Sequence, residues 1–122
     1  MLEKDQPIHG FDTFTGLPEA WGNEPVGTYT AGGEIPQAPP NVKFHKGLFS
    51  ETIPSYLASR DAARLPLAFA NVDCDLYSST RDVLESLQPR IVSGTVLVFD
   101  EYMCHPGWRN DEFRAFRESC KR

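Results

Sequence analysis

Two apolar runs that each stop at carboxylates constrain the fold of this chain more than any other feature. Residues 65–72 are almost continuously apolar and end at Asp73, and residues 95–99 run directly into Asp100 and Glu101. Uninterrupted apolar runs of this length are typical of strands buried on both faces of a parallel sheet. A helix between them would complete a βαβ unit over about residues 65–100, so the sequence predicts an α/β fold.

The other elements are predicted from the prolines, glycines and capping residues that mark loops and helix ends. The first forty residues hold six of the ten prolines and six of the nine glycines, which favours a long loop over about residues 15–41. Short strands are predicted on either side of it, at 7–11 ending at Asp12 and at 42–45. Helices are predicted from about residue 50 to Ala63, from the hydroxyl-rich start at 78–82 to Pro89, and over 111–119, with a hydroxyl side chain capping the second of these.

Composition excludes several classes of protein. Twelve Lys and Arg against seventeen Asp and Glu give a net charge of −5, without the basic patch that nucleic-acid binding requires. Three widely spaced cysteines indicate neither a disulfide framework nor a zinc knuckle, so a cytoplasmic setting is expected. The apolar runs are far shorter than the ~20 residues of a membrane helix, so no membrane partner is expected.

The predicted topology gathers four carboxylates. Asp73, Asp75, Asp100 and Glu101 follow the carboxyl ends of two strands of one sheet, where open α/β sheets bind ligands. Acids brought together in this way share a proton or bind a cation, and an oxygen-only set favours Mg²⁺, Mn²⁺ or Ca²⁺. The alternative is that one or two of them cap helices or lie in solvent.

Four segments make the sequence resemble a known family. They are IHGFDTFTGLPEAW, NVKFHKGLFSETIP, FANVDCDLYSST and RIVSGTVLVFDEYMCHPGW. In this order they resemble class I S-adenosylmethionine-dependent methyltransferases of the macrocin O-methyltransferase (TylF-like) type. The resemblance implies a partial Rossmann-like methyltransferase fold, with a mostly parallel sheet and flanking helices, as a single domain over residues 1–122.

The resemblance also implies roles for individual residues. Asp12 corresponds to the acid that hydrogen-bonds the ribose of S-adenosylmethionine, and Gly47 and Phe49 fall where the chain passes the adenine. The metal-dependent members hold a cation, expected to be Mg²⁺, at the positions of Asp73, Asp100 and Glu101. Asp73 is then the candidate general base that takes the proton of the acceptor hydroxyl.

Side chains after the second acid cluster are candidates for the acceptor pocket. Tyr102 and Trp108 are predicted to line it, and His105 is the alternative general base. For Trp108 a second interpretation stays open, in which the indole packs the last helix onto the sheet.

Family members begin with a strand and a glycine-containing cofactor loop ahead of the GFDTF motif, and they continue past the last helix with an antiparallel strand pair. This sequence shows neither, so it is interpreted as an incomplete domain. Either the strands at 7–11 and 65–72 pair directly, or an exposed sheet edge remains through which the chain could form a homo-oligomer.

The leading functional hypothesis is therefore a metal-assisted O-methyltransferase acting on a small-molecule hydroxyl of a sugar or natural product. An alternative is a non-catalytic module that binds a divalent metal or a ligand. A phosphotransfer enzyme is the weakest of the three, because the sequence has no phosphate-cradling glycine motif.

Overall fold

A computed structural model describes residues 6–59, 62 and 64–121 of the chain. The chain divides into two compact units, Met1–Thr52 and Ile53–Arg122. We call them the first and the second unit and describe each by itself.

The first unit is built on two parallel strands, β1 (Ile8–Asp12) and β2 (Val42–Lys46). They pair in register from Ile8 opposite Val42 to Asp12 opposite Lys46. Both strands agree with the prediction to within a residue or two. Their shared register places the carboxyl ends of β1 and β2 side by side.

A long connection joins β1 to β2 without forming a helix or a named strand, apart from an isolated bridge between Trp21 and Glu24. Backbone hydrogen bonds between Leu17 and Thr28 and between Gly27 and Leu17 fold it back on itself. Phe14 and Leu17 are buried, and the Phe14 ring packs edge-on against Phe44 of β2. The connection is therefore an ordered loop with a small core of its own.

Helix α1 (Phe49–Ala58) begins in the first unit and ends in the second. It ends earlier than predicted, since Ser59 already forms a turn by donating its N–H to the carbonyl oxygen of Tyr56. The predicted end at Ala63 lies outside the described residues. Ile53 is the buried residue of this helix.

The second unit contains the predicted βαβ arrangement. Its elements are β3 (Phe69–Val72), α2 (Tyr77–Leu87), β4 (Val96–Phe99) and α3 (Glu112–Ser119), with short 3₁₀ turns at Gln88–Arg90 and Trp108–Asn110. β3 and β4 are parallel, with Phe69 opposite Val96 and Val72 opposite Phe99. The chain thus has an α/β fold with parallel strands, as predicted.

Strand β3 begins at Phe69 and is shorter than the apolar run that predicted it, although the carbonyl oxygen of Ala68 already accepts from the Val96 N–H of β4. Pro66 has no N–H to donate and its ring fixes φ, so it is a poor strand residue. Its neighbours bond elsewhere: the Leu67 N–H donates to the carbonyl oxygen of Arg90, and the Arg90 guanidinium donates to that of Leu65.

Two further predictions about the second unit are wrong. One face of the sheet is open rather than buried, since Phe69, Val96 and Val98 are 43–51% exposed. Helix α2 has no side-chain cap, because it begins at Tyr77, so the hydroxyls predicted to cap it lie inside its first turn. The Thr80 hydroxyl instead donates to the carbonyl oxygen of Leu76.

The four strands form two separate sheets, β1–β2 and β3–β4. The direct pairing of the 7–11 strand with the 65–72 strand, one of the two alternatives from the sequence, is therefore not observed among the described strands.

Candidate functional site

The carboxyl ends of β3 and β4 bring the predicted acids together in the second unit. The N–H of Asp100 donates to the carbonyl oxygen of Val72 at 3.0 Å, which places Asp100 beside the residue that precedes Asp73. Asp73 and Asp100 are both exposed, so their carboxylates are accessible to a ligand. Parallel pairing thus produces the convergence that the two apolar runs predicted.

Asp75 turns the chain from β3 into α2. It has a φ of 58°, in the left-handed region that Asp adopts more readily than most residues. Burial and the charges of Asp73, Glu101 and Asp100 raise the pKa of Asp75 to about 6, whereas His105 acts to lower it. The four acids therefore interact electrostatically, as predicted from their positions.

Glu112 is a buried acid of this cluster that is not among the acids predicted from the sequence. It lies in the first turn of α3, and its side chain is fully buried. Its two oxygens accept hydrogen bonds from the backbone N–H groups of Cys74, at 3.3 Å, and Glu101, at 3.1 Å. Burial raises the pKa of Glu112 to about 7, an effect that the two hydrogen bonds oppose and that the charges of Asp75 and Asp73 reinforce.

The raised pKa of Glu112 predicts how stability depends on pH. Between about pH 4.5 and 7 the folded chain binds a proton that the unfolded chain has released, so stability falls as the pH rises through this window. From pH 5 to pH 7 we expect Glu112 to lower the free energy of unfolding by about 2 kcal/mol. Urea unfolding at several pH values measures this. Glu112→Gln should reduce the slope and leave the part due to Asp75, whose pKa is also raised, and an unchanged slope in that variant would contradict the assignment.

Cys74 is not suited to be a nucleophile in this cluster. Burial raises the pKa of its thiol to about 12, partly offset by a hydrogen bond with the Thr80 hydroxyl. The thiol therefore stays protonated at neutral pH and is not a candidate base.

His105 lies beside the acids, but its ring is engaged. Nε2 is 3.0 Å from the carbonyl oxygen of Glu101, and Nδ1 is 3.2 Å from that of Pro106. A ring nitrogen forms a hydrogen bond with a carbonyl oxygen only as a donor, and neutral imidazole has one N–H. At least one ring nitrogen of His105 therefore already carries a proton that it donates to a carbonyl oxygen, and both ring nitrogens lie beside such an oxygen. This arrangement favours Asp73 over His105 as the general base, and both assignments remain predictions.

Tyr102 and Trp108, predicted to line the acceptor pocket, both contact α3. The Tyr102 ring lies 5.3 Å from that of Phe113 and 5.6 Å from that of Phe99, and Trp108 meets Phe113 edge-on at 4.8 Å. The guanidinium of Arg109 lies 4.2 Å from the centre of the Trp108 ring. The contact with Phe113 agrees with the interpretation in which Trp108 packs the last helix, and a role at the acceptor remains a prediction.

A second group of predicted residues lies in the first unit, where β1 and β2 end together. The N–H of Gly47 donates to the carbonyl oxygen of Asp12 at 3.0 Å, and Oδ1 of Asp12 accepts from the N–H of Phe14 at 2.7 Å. Gly47 has a φ of 145°, and a Cβ there would lie 2.9 Å from the Thr52 methyl group. Phe49, two residues further on, is half-buried at the start of α1.

The acids do not form a preassembled metal centre. Within residues 6–59, 62 and 64–121, no group of three or more His, Cys, Asp or Glu side chains is placed to hold a metal ion. The predicted ligand set of Asp73, Asp100 and Glu101 is therefore supported by its oxygen chemistry but not by ligand geometry.

A family model and two curated proteins match this chain. The family model described as macrocin O-methyltransferase (TylF) matches residues 37–121. A demethyldecarbamoylnovobiocin O-methyltransferase of Streptomyces niveus is 38% identical over 76 residues, covering 61% of this chain and 27% of that protein. An 8-demethyl-8-(2,3-dimethoxy-alpha-L-rhamnosyl)-tetracenomycin-C 4'-O-methyltransferase of Streptomyces olivaceus is 39% identical over 61 residues, covering 50% of this chain and 21% of that protein.

Two solved methyltransferase structures are also similar to this chain. The calicheamicin methyltransferase CalS11 aligns with a TM-score of 0.70 and 28% identity, over 92% of this chain and 51% of that one. The O-methyltransferase NovP shares the fold, with a TM-score of 0.64 and 23% identity over 97% of this chain and 54% of that one.

These matches and the parallel α/β architecture define a methyltransferase-like chain. It belongs to the macrocin O-methyltransferase (TylF) family. Its matches span about a quarter of the length of the curated relatives and about half of the solved ones. In the part of the chain that the structure describes, no helix is long and apolar enough to span a membrane.

Proposed function

We propose that this chain acts in S-adenosylmethionine-dependent O-methyl transfer to a hydroxyl group of a sugar or a sugar-bearing natural product. Family membership supports the reaction type. The choice of acceptor is supported by the relatives, because the tetracenomycin enzyme methylates a rhamnosyl unit and a CalS11 structure is described as a TDP-rhamnose 3'-O-methyltransferase.

One observation carries the proposal more than any other: the β3–β4 pairing sets two exposed carboxylates, Asp73 and Asp100, side by side at the carboxyl ends of parallel strands. A hydroxyl acceptor must lose a proton as its oxygen attacks a methyl group, so the reaction needs a base that a ligand can reach. Exposed carboxylates at this edge of an α/β sheet meet that need.

The residues of the first unit suit the cofactor. The Asp12 carboxylate lies at the end of β1, where it can accept hydrogen bonds from ribose hydroxyls while Oδ1 holds the Phe14 N–H. Gly47 follows β2 with a φ of 145°, and a Cβ there would lie 2.9 Å from the Thr52 methyl group, so this turn beside Asp12 requires glycine. We assign Asp12 and Gly47 to S-adenosylmethionine, together with Phe49 as an apolar contact for the adenine.

The proposed reaction needs no reagent besides S-adenosylmethionine and the acceptor hydroxyl. When bound, S-adenosylmethionine supplies an electrophilic methyl group on a sulfonium. Transfer of that methyl group to the acceptor oxygen would leave the carbon–sulfur electron pair on sulfur, so the leaving group would be a neutral thioether. Asp73 takes the acceptor proton and then releases it to water, and Tyr102 and Trp108 are proposed to contact the acceptor. The products are a methyl ether and S-adenosylhomocysteine.

Metal assistance is proposed only as a form of this reaction to be tested. Asp73, Asp100 and Glu101 would supply the oxygen ligands that Mg²⁺ prefers. Among the described residues, these side chains are not arranged as a three-ligand site, so the ion would have to draw them together on binding.

Replacing Asp12 tests the cofactor assignment. We expect the chain to bind S-adenosylmethionine with a micromolar Kd in a calorimetric titration, and Asp12→Asn to raise that Kd about tenfold, because a neutral amide is a weaker acceptor for ribose hydroxyls. Glu34→Gln is the matched control, since it removes an exposed carboxylate of the same unit. Equal affinities for the native chain and Asp12→Asn would contradict the assignment.

A further inference from the structure

Glu112 connects the two loops that follow the carboxyl ends of β3 and β4. Pairing ends where the Asp100 N–H donates to the carbonyl oxygen of Val72. One residue further on, the Glu101 N–H donates to Oε2 of Glu112, and the Cys74 N–H donates to Oε1. A single carboxylate from α3 therefore continues the connection between the strands beyond their last backbone hydrogen bond.

The two loops carry the acids of the candidate site. Cys74 lies between Asp73 and Asp75, and Glu101 follows Asp100. A shift of either loop would change the separation of the Asp73 and Asp100 carboxylates. The two hydrogen bonds oppose such a shift, because a partly buried N–H that loses its acceptor is left without a hydrogen bond.

A glutamate at position 112 is better explained by its hydrogen bonds than by packing. A carboxylate can accept at both oxygens, whereas a glutamine side chain accepts at one and presents a donor at the other. A buried acid that interacts with the charges of Asp75 and Asp73 is also costly for stability, since like charges disfavour one another's ionised forms. If position 112 only had to fill space at the start of α3, an apolar side chain would stabilise the fold more than a buried acid.

We propose that Glu112 is a positioning residue that joins the Asp73 loop to the Asp100 loop and thereby fixes the separation of the two acids. Its consequence for methyl transfer rests on the proposed function. The joining of the loops does not, and it can be measured in the absence of any substrate.

Amide hydrogen exchange, followed by NMR on the full chain, tests the joining directly. In the native chain the Cys74 and Glu101 amides should exchange at least tenfold more slowly than exposed loop amides such as that of Ser93, although neither lies in a helix or strand. Fast exchange at both amides in the native chain would overturn the proposal, and this measurement requires no variant to fold.

Substitution gives the second arm of the test. Glu112→Gln should accelerate exchange at least tenfold at one or both of these amides while the β3 and β4 amides change little. Glu112→Asp, which keeps the charge but is one methylene shorter, should do the same. The matched control is Glu118→Gln on the same helix, whose carboxylate accepts from the Tyr77 hydroxyl and Arg114. Unchanged exchange at both amides in the Glu112 variants would overturn the proposal.

Kinetics separate positioning from simple stabilisation. If the native chain transfers methyl groups, Glu112→Gln should lower kcat about tenfold and leave the KM for S-adenosylmethionine unchanged. An unchanged kcat despite faster amide exchange would overturn the positioning role. A native chain that shows slow exchange but no methyl transfer would instead refute the proposed function and leave the joining of the loops established.

Discussion

Replacing Asp73 with asparagine is expected to lower kcat for methyl transfer at least 100-fold, because the amide cannot take the proton of the acceptor hydroxyl. General-base catalysis by a positioned carboxylate contributes about 10²–10⁴ in rate. Asp73 is exposed, so the substitution should leave the fold and the Kd for S-adenosylmethionine unchanged. The measurement is initial-rate kinetics with a sugar acceptor at saturating cofactor.

A surface carboxylate of the same unit provides the control. Asp82 on α2 pairs with the guanidinium of Arg81 on the surface, and Asp82→Asn should keep the native rate. His105→Gln distinguishes the two candidate bases, since it should reduce the rate far less than Asp73→Asn. If Asp73→Asn retained activity within threefold of the native chain, Asp73 would not be the base.

Replacing Gly16 with alanine should destabilise the first unit by about 3 kcal/mol. Gly16 has a φ of 83°, which costs an alanine about 1–2 kcal/mol. A Cβ there would also lie 2.3 Å from the carbonyl oxygen of Thr28 and 2.5 Å from that of Gly27, so the backbone of the long loop would have to move. Large single-site losses of stability arise from strain of this kind.

Gly22→Ala is the matched control for this loop. Gly22 also has a positive φ, 55°, but a Cβ there would meet no atom within 4 Å, so the loss should be limited to about 1 kcal/mol. Urea unfolding followed by Trp21 fluorescence in a Trp108→Phe background reports on the first unit. Equal losses for Gly16→Ala and Gly22→Ala would mean that the close approach to Thr28 and Gly27 does not restrain this loop.

The candidate site shows where sequence reasoning was sufficient. Asp73 and Asp100 follow apolar runs, and the carboxyl ends of neighbouring parallel strands must lie together, so pattern alone placed them side by side. The ends of β1 and β2 similarly brought Asp12 and Gly47 together.

Other features depended on tertiary context that the pattern does not encode. Glu112 looked like an ordinary acid at the start of a helix, where acids are favoured by the helix dipole. Nothing local showed that its carboxylate would be buried against two loops 11 and 38 residues away. Pro66 is different, because a residue without an N–H is poorly suited to the interior of a strand and so indicates locally that β3 begins after it.

Incubating the chain with methyl-labelled S-adenosylmethionine and a rhamnose-bearing acceptor, with Mg²⁺ and with a chelator, tests whether it takes part in O-methyl transfer. We expect label in a methyl ether of the acceptor with the native chain, and at least 100-fold less of it with Asp73→Asn. Loss of label in the chelator arm would add the metal to the mechanism, and retention would exclude it. If a folded chain that binds the cofactor yields no labelled ether, this chain does not carry out O-methyl transfer to such an acceptor.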